Sequence, residues 1–156
     1  MDDYIKINKS RIFSFWATFF YALLTSIVAI YHEPWRDEAQ AWLIARDLDI
    51  ISLFKQMRYE GTPALWHLIL FPFAKLNFPY CTITIIHLVI AISMVYLFVS
   101  YAPFSRITKL LFIFSYYIAY EYAIIARNYN IAILLLFLIA IFYKERFEHQ
   151  IGRAHV

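Results

Sequence analysis

Apolar residues in this chain come in long runs, and polar residues come in short clusters between them. Ile12 to Tyr31 contains no Asp, Glu, Lys or Arg, and neither does Phe78 to Ala102. Leu110 to Ala126 contains one, Glu121, and Asn128 to Tyr143 contains none. A helix rises 1.5 Å per residue, so about 20 apolar residues cross the hydrocarbon core of a bilayer. The pattern predicts an all-α integral membrane protein with about four crossings, near residues 12–31, 79–102, 110–126 and 129–143. A fifth apolar stretch, residues 62–76, is too short to cross comfortably and contains Pro72, which removes a helix hydrogen bond.

The basic residues orient the spans. If 62–76 stays on the outer side, Arg106 with Lys109 and Lys144 with Arg146 join Lys6, Lys9 and Arg11 on the cytoplasmic side. If 62–76 crosses, both later pairs move outside. The first arrangement obeys the positive-inside rule. It predicts a multi-pass protein of the cell membrane, with a cytoplasmic N-terminus and one large external loop over residues 32–78. The first run is too long for a signal-peptide core and no small-x-small site follows it, so it reads as an uncleaved anchor.

Within the loop, Trp35, Ala39, Trp42 and Leu43 recur at helical spacing. They predict an interfacial helix over about 34–48, begun by Pro34 and laid tryptophans-down on the membrane. "ISLFKQM" reads as a second amphipathic piece. "RYEGTP" reads as a turn at Gly61, with Thr62 capping a further interfacial helix over 62–76 that Pro63 begins.

Composition sharpens this picture in three ways. The chain is 63% hydrophobic and 16% charged, against about 25% charged in soluble domains. The net charge of +3 comes without any nucleic-acid-sized basic patch. The single cysteine, Cys81, excludes an intramolecular disulfide and a Cys-based zinc site, and reads as a small buried hydrophobe.

Candidate chemistry gathers on the outer side. Asp37 and Glu38 fall in the first turn of the first interfacial helix. There they would complement the helix dipole, an effect of about 0.3–1 kcal/mol each. They could equally take a proton from an attacking hydroxyl or hold a divalent cation against a phosphate. Glu121 sits inside a span, where an ionisable residue costs about 2.5–3.5 kcal/mol and is a functional candidate. Arg127 follows at the outer end of that span, where snorkelling is its structural alternative. Arg36, Glu60, His67 and Tyr129 complete the candidate set for substrate binding, while His87 reads as a packing residue.

Three segments in order carry a resemblance. "WRDEAQAWLIARD" resembles the acidic "DE-A" motif in the first external loop of GT-C superfamily membrane glycosyltransferases. The relevant group is that of the protein-O-mannosyltransferases and aminoarabinose transferases. "EGTPALWHLIL" resembles the "hPPL" segment that follows, with Thr62-Pro63-Ala64 in place of a double proline. "YEYAIIARNYNIAILLLFLIAIFY" resembles the segment beginning "aRp-" after the third crossing. The likeness covers roughly residues 10–146, the N-terminal portion of such an enzyme.

The resemblance implies a partial GT-C fold and transfer of a sugar from a polyprenyl-phosphate-linked donor to an acceptor hydroxyl. It implies Asp37 as general base, Glu38 in support or at a cation, and Arg127 on the donor phosphate. Relatives often carry an acidic residue just after the arginine, where this chain has Asn128-Tyr129-Asn130. The hydrophilic tail over 147–156 is expected to mark a truncated chain, inactive alone. Two other classes remain open at this level. One is a membrane scaffold using the acidic loop for protein contact; the other is a transporter fragment, which the lack of glycine within the spans disfavours.

Overall fold

The computed structural model describes the backbone of residues 2–154 and the side chains of residues 10–143. The side chains of Lys6, Lys9, Lys144 and Arg146, and the last two residues of the tail, lie outside that description. The described residues form helices and connecting turns, with no strand among them.

Seven α-helices follow in order: α1 Asp2–Ile30, α2 Arg36–Asp47, α3 Ile50–Glu60, α4 Leu65–Lys75, α5 Thr82–Tyr101, α6 Arg106–Ile113 and α7 Tyr129–Ala154. Two helical stretches are long and apolar enough to cross a membrane, Ser10–Ile30 of α1 and Thr82–Tyr101 of α5. Helix α4 and the Tyr129–Tyr143 part of α7 are apolar but shorter. Helix α5 packs against α1 on one side and α7 on the other, and α2 packs against α4.

Two cores result. One joins Ala17 and Tyr21 of α1 to Ala91, Met94 and Val95 of α5, Ile113 of α6, and the stretch Ile118–Ile124. The other joins Ala41, Trp42 and Ala45 of α2 to Trp66, Leu70 and Ala74 of α4, Ile83 of α5, Ala126 and Ile131. Burying each such large side chain stabilises the fold by about 1.5–3 kcal/mol. The second core fixes the α2–α4 pair on the end of the bundle where α1 finishes and α5 and α7 begin.

Several expectations need correction. The stretch expected as a continuous third helix over 110–126 is broken. Helix α6 stops at Ile113, a π turn covers Tyr117–Glu121, and the chain from Tyr122 to Asn128 is irregular. The Ser115 hydroxyl donates to the Phe112 carbonyl at 2.7 Å, an alternative to the helical ladder. The Tyr122 N–H then bonds the Tyr117 carbonyl, five residues back, at 2.7 Å. The apolar stretches Ser10–Ile30 and Tyr129–Tyr143 lie where the first and fourth were expected, each as part of a longer helix.

Both prolines expected to open the loop helices lie outside them. Helix α2 starts at Arg36, because the Glu38 side chain takes the Trp35 N–H at 2.9 Å and holds Trp35 extended as the N-cap. Helix α4 starts at Leu65 with Ala64 as its N-cap, rather than at Pro63 with Thr62 as cap. The Gly61 turn is as expected: Gly61 has φ 63°, the left-handed conformation that ends α3 at little cost in a residue without Cβ.

The expected apolar stripe of α2 is split. Trp42 is buried, whereas Trp35 and Leu43 are exposed; the inward face is Glu38, Ala41, Trp42 and Ala45. Cys81 is exposed, against expectation. It caps α5, while its neighbour Tyr80 takes the inward position and packs edge-on against Trp42, ring centres 6.0 Å apart.

Candidate functional site

The site is built on one long-range bracket. Glu38 is 2% exposed. One of its carboxyl oxygens accepts from the Trp35 N–H at 2.9 Å and lies 3.0 Å from His32 Nε2. The other accepts from the Ala126 N–H at 2.9 Å. The start of α2 is thereby stitched to the chain just before α7, in a buried setting where an unpaired N–H or carboxyl oxygen would be costly.

The neighbours of that bracket face outward together. Arg127 Nη2 lies 3.2 Å from Asp37 Oδ2, with both side chains partly exposed. The Arg127 guanidinium also sits over the Tyr129 ring, 5.2 Å from its centre, a cation–π contact.

Beside this pair is a cleft of about 180 Å³ lined by Asp37, Gln40, Glu60, His67, Arg127 and Trp66, among others. It is smaller than the 300–1,000 Å³ of drug-sized sites, so it suits a head group. Glu60 is held in place by Gln40 Nε2, which donates to both its oxygens at 2.9 and 3.0 Å, and by Gln56 Nε2 at 2.8 Å. Trp66 Nε1 and His67 Nδ1 are buried and without a protein partner. Burial pushes the His67 pKa down, against a smaller upward pull from Glu60. Its imidazole is thereby kept neutral, with a free ring nitrogen at the cleft.

Two other hollows are larger. One, about 290 Å³, lies between α2 and the α4–α5 turn and carries Arg46, which is already paired with Asp47. The other, about 570 Å³, is an apolar groove between α1, α5 and α7. Neither brings carboxylates, an arginine and a histidine together as the smaller cleft does, so the smaller cleft is the candidate site.

Of the residues singled out in the sequence, Asp37, Glu60, His67 and Arg127 converge on this cleft, and Tyr129 supports Arg127. Glu38 is adjacent but serves as the bracket. Both its oxygens accept backbone hydrogen bonds, and among the described residues no group of three or more metal-donor side chains forms. Arg36 is exposed and outside the cleft lining. Glu121 is also outside it, in the π turn, 3.4 Å from the Tyr116 hydroxyl. His87 is buried, and its Nε2 lies 3.0 Å from the Tyr122 carbonyl oxygen. Gln40 and Trp66 escaped sequence reasoning. Gln40 stands one helical turn after Asp37 and so shares its face, the one available signal. Comparison with protein-family models, curated proteins and solved structures yields no match for this chain.

Proposed function

We propose that this chain is the N-terminal portion of a multi-pass membrane glycosyltransferase of the GT-C kind. Its donor would be a polyprenyl-phosphate-linked sugar, and its cleft would work at the outer surface of the cell membrane. The topology in this reading has a cytoplasmic N-terminus and four crossings. The third is the broken α6–π-turn segment, and α2 and α4 lie at the outer interface.

One observation carries the reading: the Asp37–Arg127 pair at the cleft mouth. A donor phosphate arriving there offers Arg127 two oxygens for its planar fork and competes with Asp37 for it. That exchange frees Asp37. The acceptor hydroxyl then loses its proton to Asp37 as its oxygen attacks the anomeric carbon. The bond from that carbon to the phosphate oxygen breaks, and the polyprenyl phosphate leaves with its charge held by Arg127. Glu38 positions both residues without touching substrate.

The test is binding of a polyprenyl-phosphate-linked hexose to the chain in lipid nanodiscs. Arg127→Ala is expected to weaken binding at least about tenfold, equal to about 1.4 kcal/mol. No binding, or binding indifferent to Arg127→Ala, overturns the proposal in favour of a scaffold.

A further inference from the structure

The π turn that interrupts the third segment carries an unbroken file of tyrosine rings. Tyr120 stacks on Tyr116 with centres 5.6 Å apart, and Tyr116 meets Tyr117 at 5.6 Å. Tyr117 meets Tyr122 at 6.3 Å, and Tyr122 meets Tyr129 at 6.1 Å. The file ends under Arg127, at the Asp37 pair. Five rings thus run without a gap up to the cleft mouth.

Three of these rings face out of the described fold, while Tyr120 and Tyr122 are half-buried and pack against the first core. Tyr116 and Tyr117 are each 62% exposed, and Tyr129 is 45% exposed. The file also starts deep. The Tyr21 hydroxyl donates to the Ile118 carbonyl at 2.7 Å, and Tyr21 lies about nine residues before the end of α1, so about 14 Å below it. On the proposed topology that is close to the middle of the bilayer. A face of phenol hydroxyls with a carboxylate, Glu121, is costly against hydrocarbon and instead borders water or protein.

We infer that this tyrosine file is a saccharide platform, lining a water-filled vestibule that leads to the Asp37–Arg127 cleft. Sugar rings present flat faces of polarised C–H groups that seat on aromatic faces, which carry the negative end of the ring quadrupole. Their hydroxyls need donors and acceptors at the rim, which phenol O–H groups and Glu121 supply. An isoprenoid chain would use the ring faces but leave those polar groups unpaired, so the file suits the sugar side of the reaction. The inference rests on the function proposed above and adds where the saccharide lies.

The experiment is hydroxyl-radical footprinting of the unmodified chain in nanodiscs, read by mass spectrometry. A panel of hexose, hexosamine and pentose oligosaccharides serves as probe. Tyr116, Tyr117 and Tyr129 are expected to oxidise readily, unlike Phe15 and Phe19 on the outward face of α1. At least one saccharide is expected to slow that oxidation several-fold, and Tyr117→Ala is expected to abolish the protection at Tyr116. Tyrosines as unreactive as Phe19, or reactive tyrosines that no saccharide protects, overturn the platform. If Arg127-dependent binding of the lipid-phosphate donor persists in that case, the platform alone falls. Protection without donor binding keeps the platform and removes the transferase.

Discussion

Glu38 accepts the backbone N–H of Ala126, 88 residues further along the chain, at 2.9 Å. Because this contact joins two neighbours of the reactive pair, it sets Asp37 opposite Arg127 with no freedom to slide. The register of the site is therefore fixed by a buried side chain that is not itself reactive.

Replacing that carboxyl with an amide, Glu38→Gln, turns one acceptor into a donor facing an N–H. The expected loss is about 1.5–3 kcal/mol of stability, the range for a buried hydrogen bond left unmade. A thermal or denaturant melt of the detergent-solubilised protein checks it. A melt unchanged from wild type means the bracket does not hold the fold.

Asp37→Asn is expected to behave oppositely. Its ion pair with Arg127 is partly exposed, and such pairs contribute about 0–1 kcal/mol, so stability should barely change. Sugar transfer by the full-length enzyme of which this chain is proposed to be part should fall about 10²–10⁴-fold, the usual contribution of a general base. Retained transfer removes Asp37 from the reaction.

His67 should make stability depend on pH. Burial lowers its folded pKa below the ordinary imidazole value. As pH falls through that ordinary value, about 6.5, the unfolded chain binds the proton first, so stability declines until the lower folded value is passed. Melts across pH 5 to 8 should show this decline in wild type and a flatter profile in His67→Gln. Parallel profiles in the two proteins would refute the assignment.

The exposed Cys81 reports topology without any engineered label. It sits at the start of α5, on the same end of the bundle as the cleft. A membrane-impermeant maleimide is expected to label it in intact cells stripped of any outer barrier. Labelling only after lysis would put the cleft on the cytoplasmic side and reverse the proposed orientation.

Much of this arrangement was legible in the sequence. Charge-free runs located the apolar α1 and α5, amphipathic spacing located α2 and α3, and a short apolar stretch after the Gly61 turn located α4. Asp37, Glu60, His67 and Arg127 were found because ionisable groups are conspicuous in an apolar chain. The rest depended on individual hydrogen bonds. Ser115 breaks a segment that hydropathy reads as continuous, and a carboxyl reaching a distant backbone N–H, as Glu38 does, leaves no periodic trace. Trp42 and Trp35 have the same hydrophobicity, yet Trp42 lies on the buried face of α2 with Ala41 and Ala45, and Trp35 precedes the helix as its exposed N-cap.

The α2–α4 pair is tied at its far end too, where Lys75 Nζ donates to the Arg46 carbonyl at 2.7 Å and lies over the Phe71 ring. Helix α3 is tied to α2 by side chains at its last residue, Glu60. It buries one residue, Leu53, and is bounded by the Asp49 cap and the left-handed Gly61. It touches the cleft through Glu60, whose bonds include two from Gln40. Among the loop helices, α3 is thus the one with the smallest free energy of local opening. Its amides should exchange with solvent first, and each opening takes Glu60 away from the wall of the cleft. The cleft's size then varies with a single short helix.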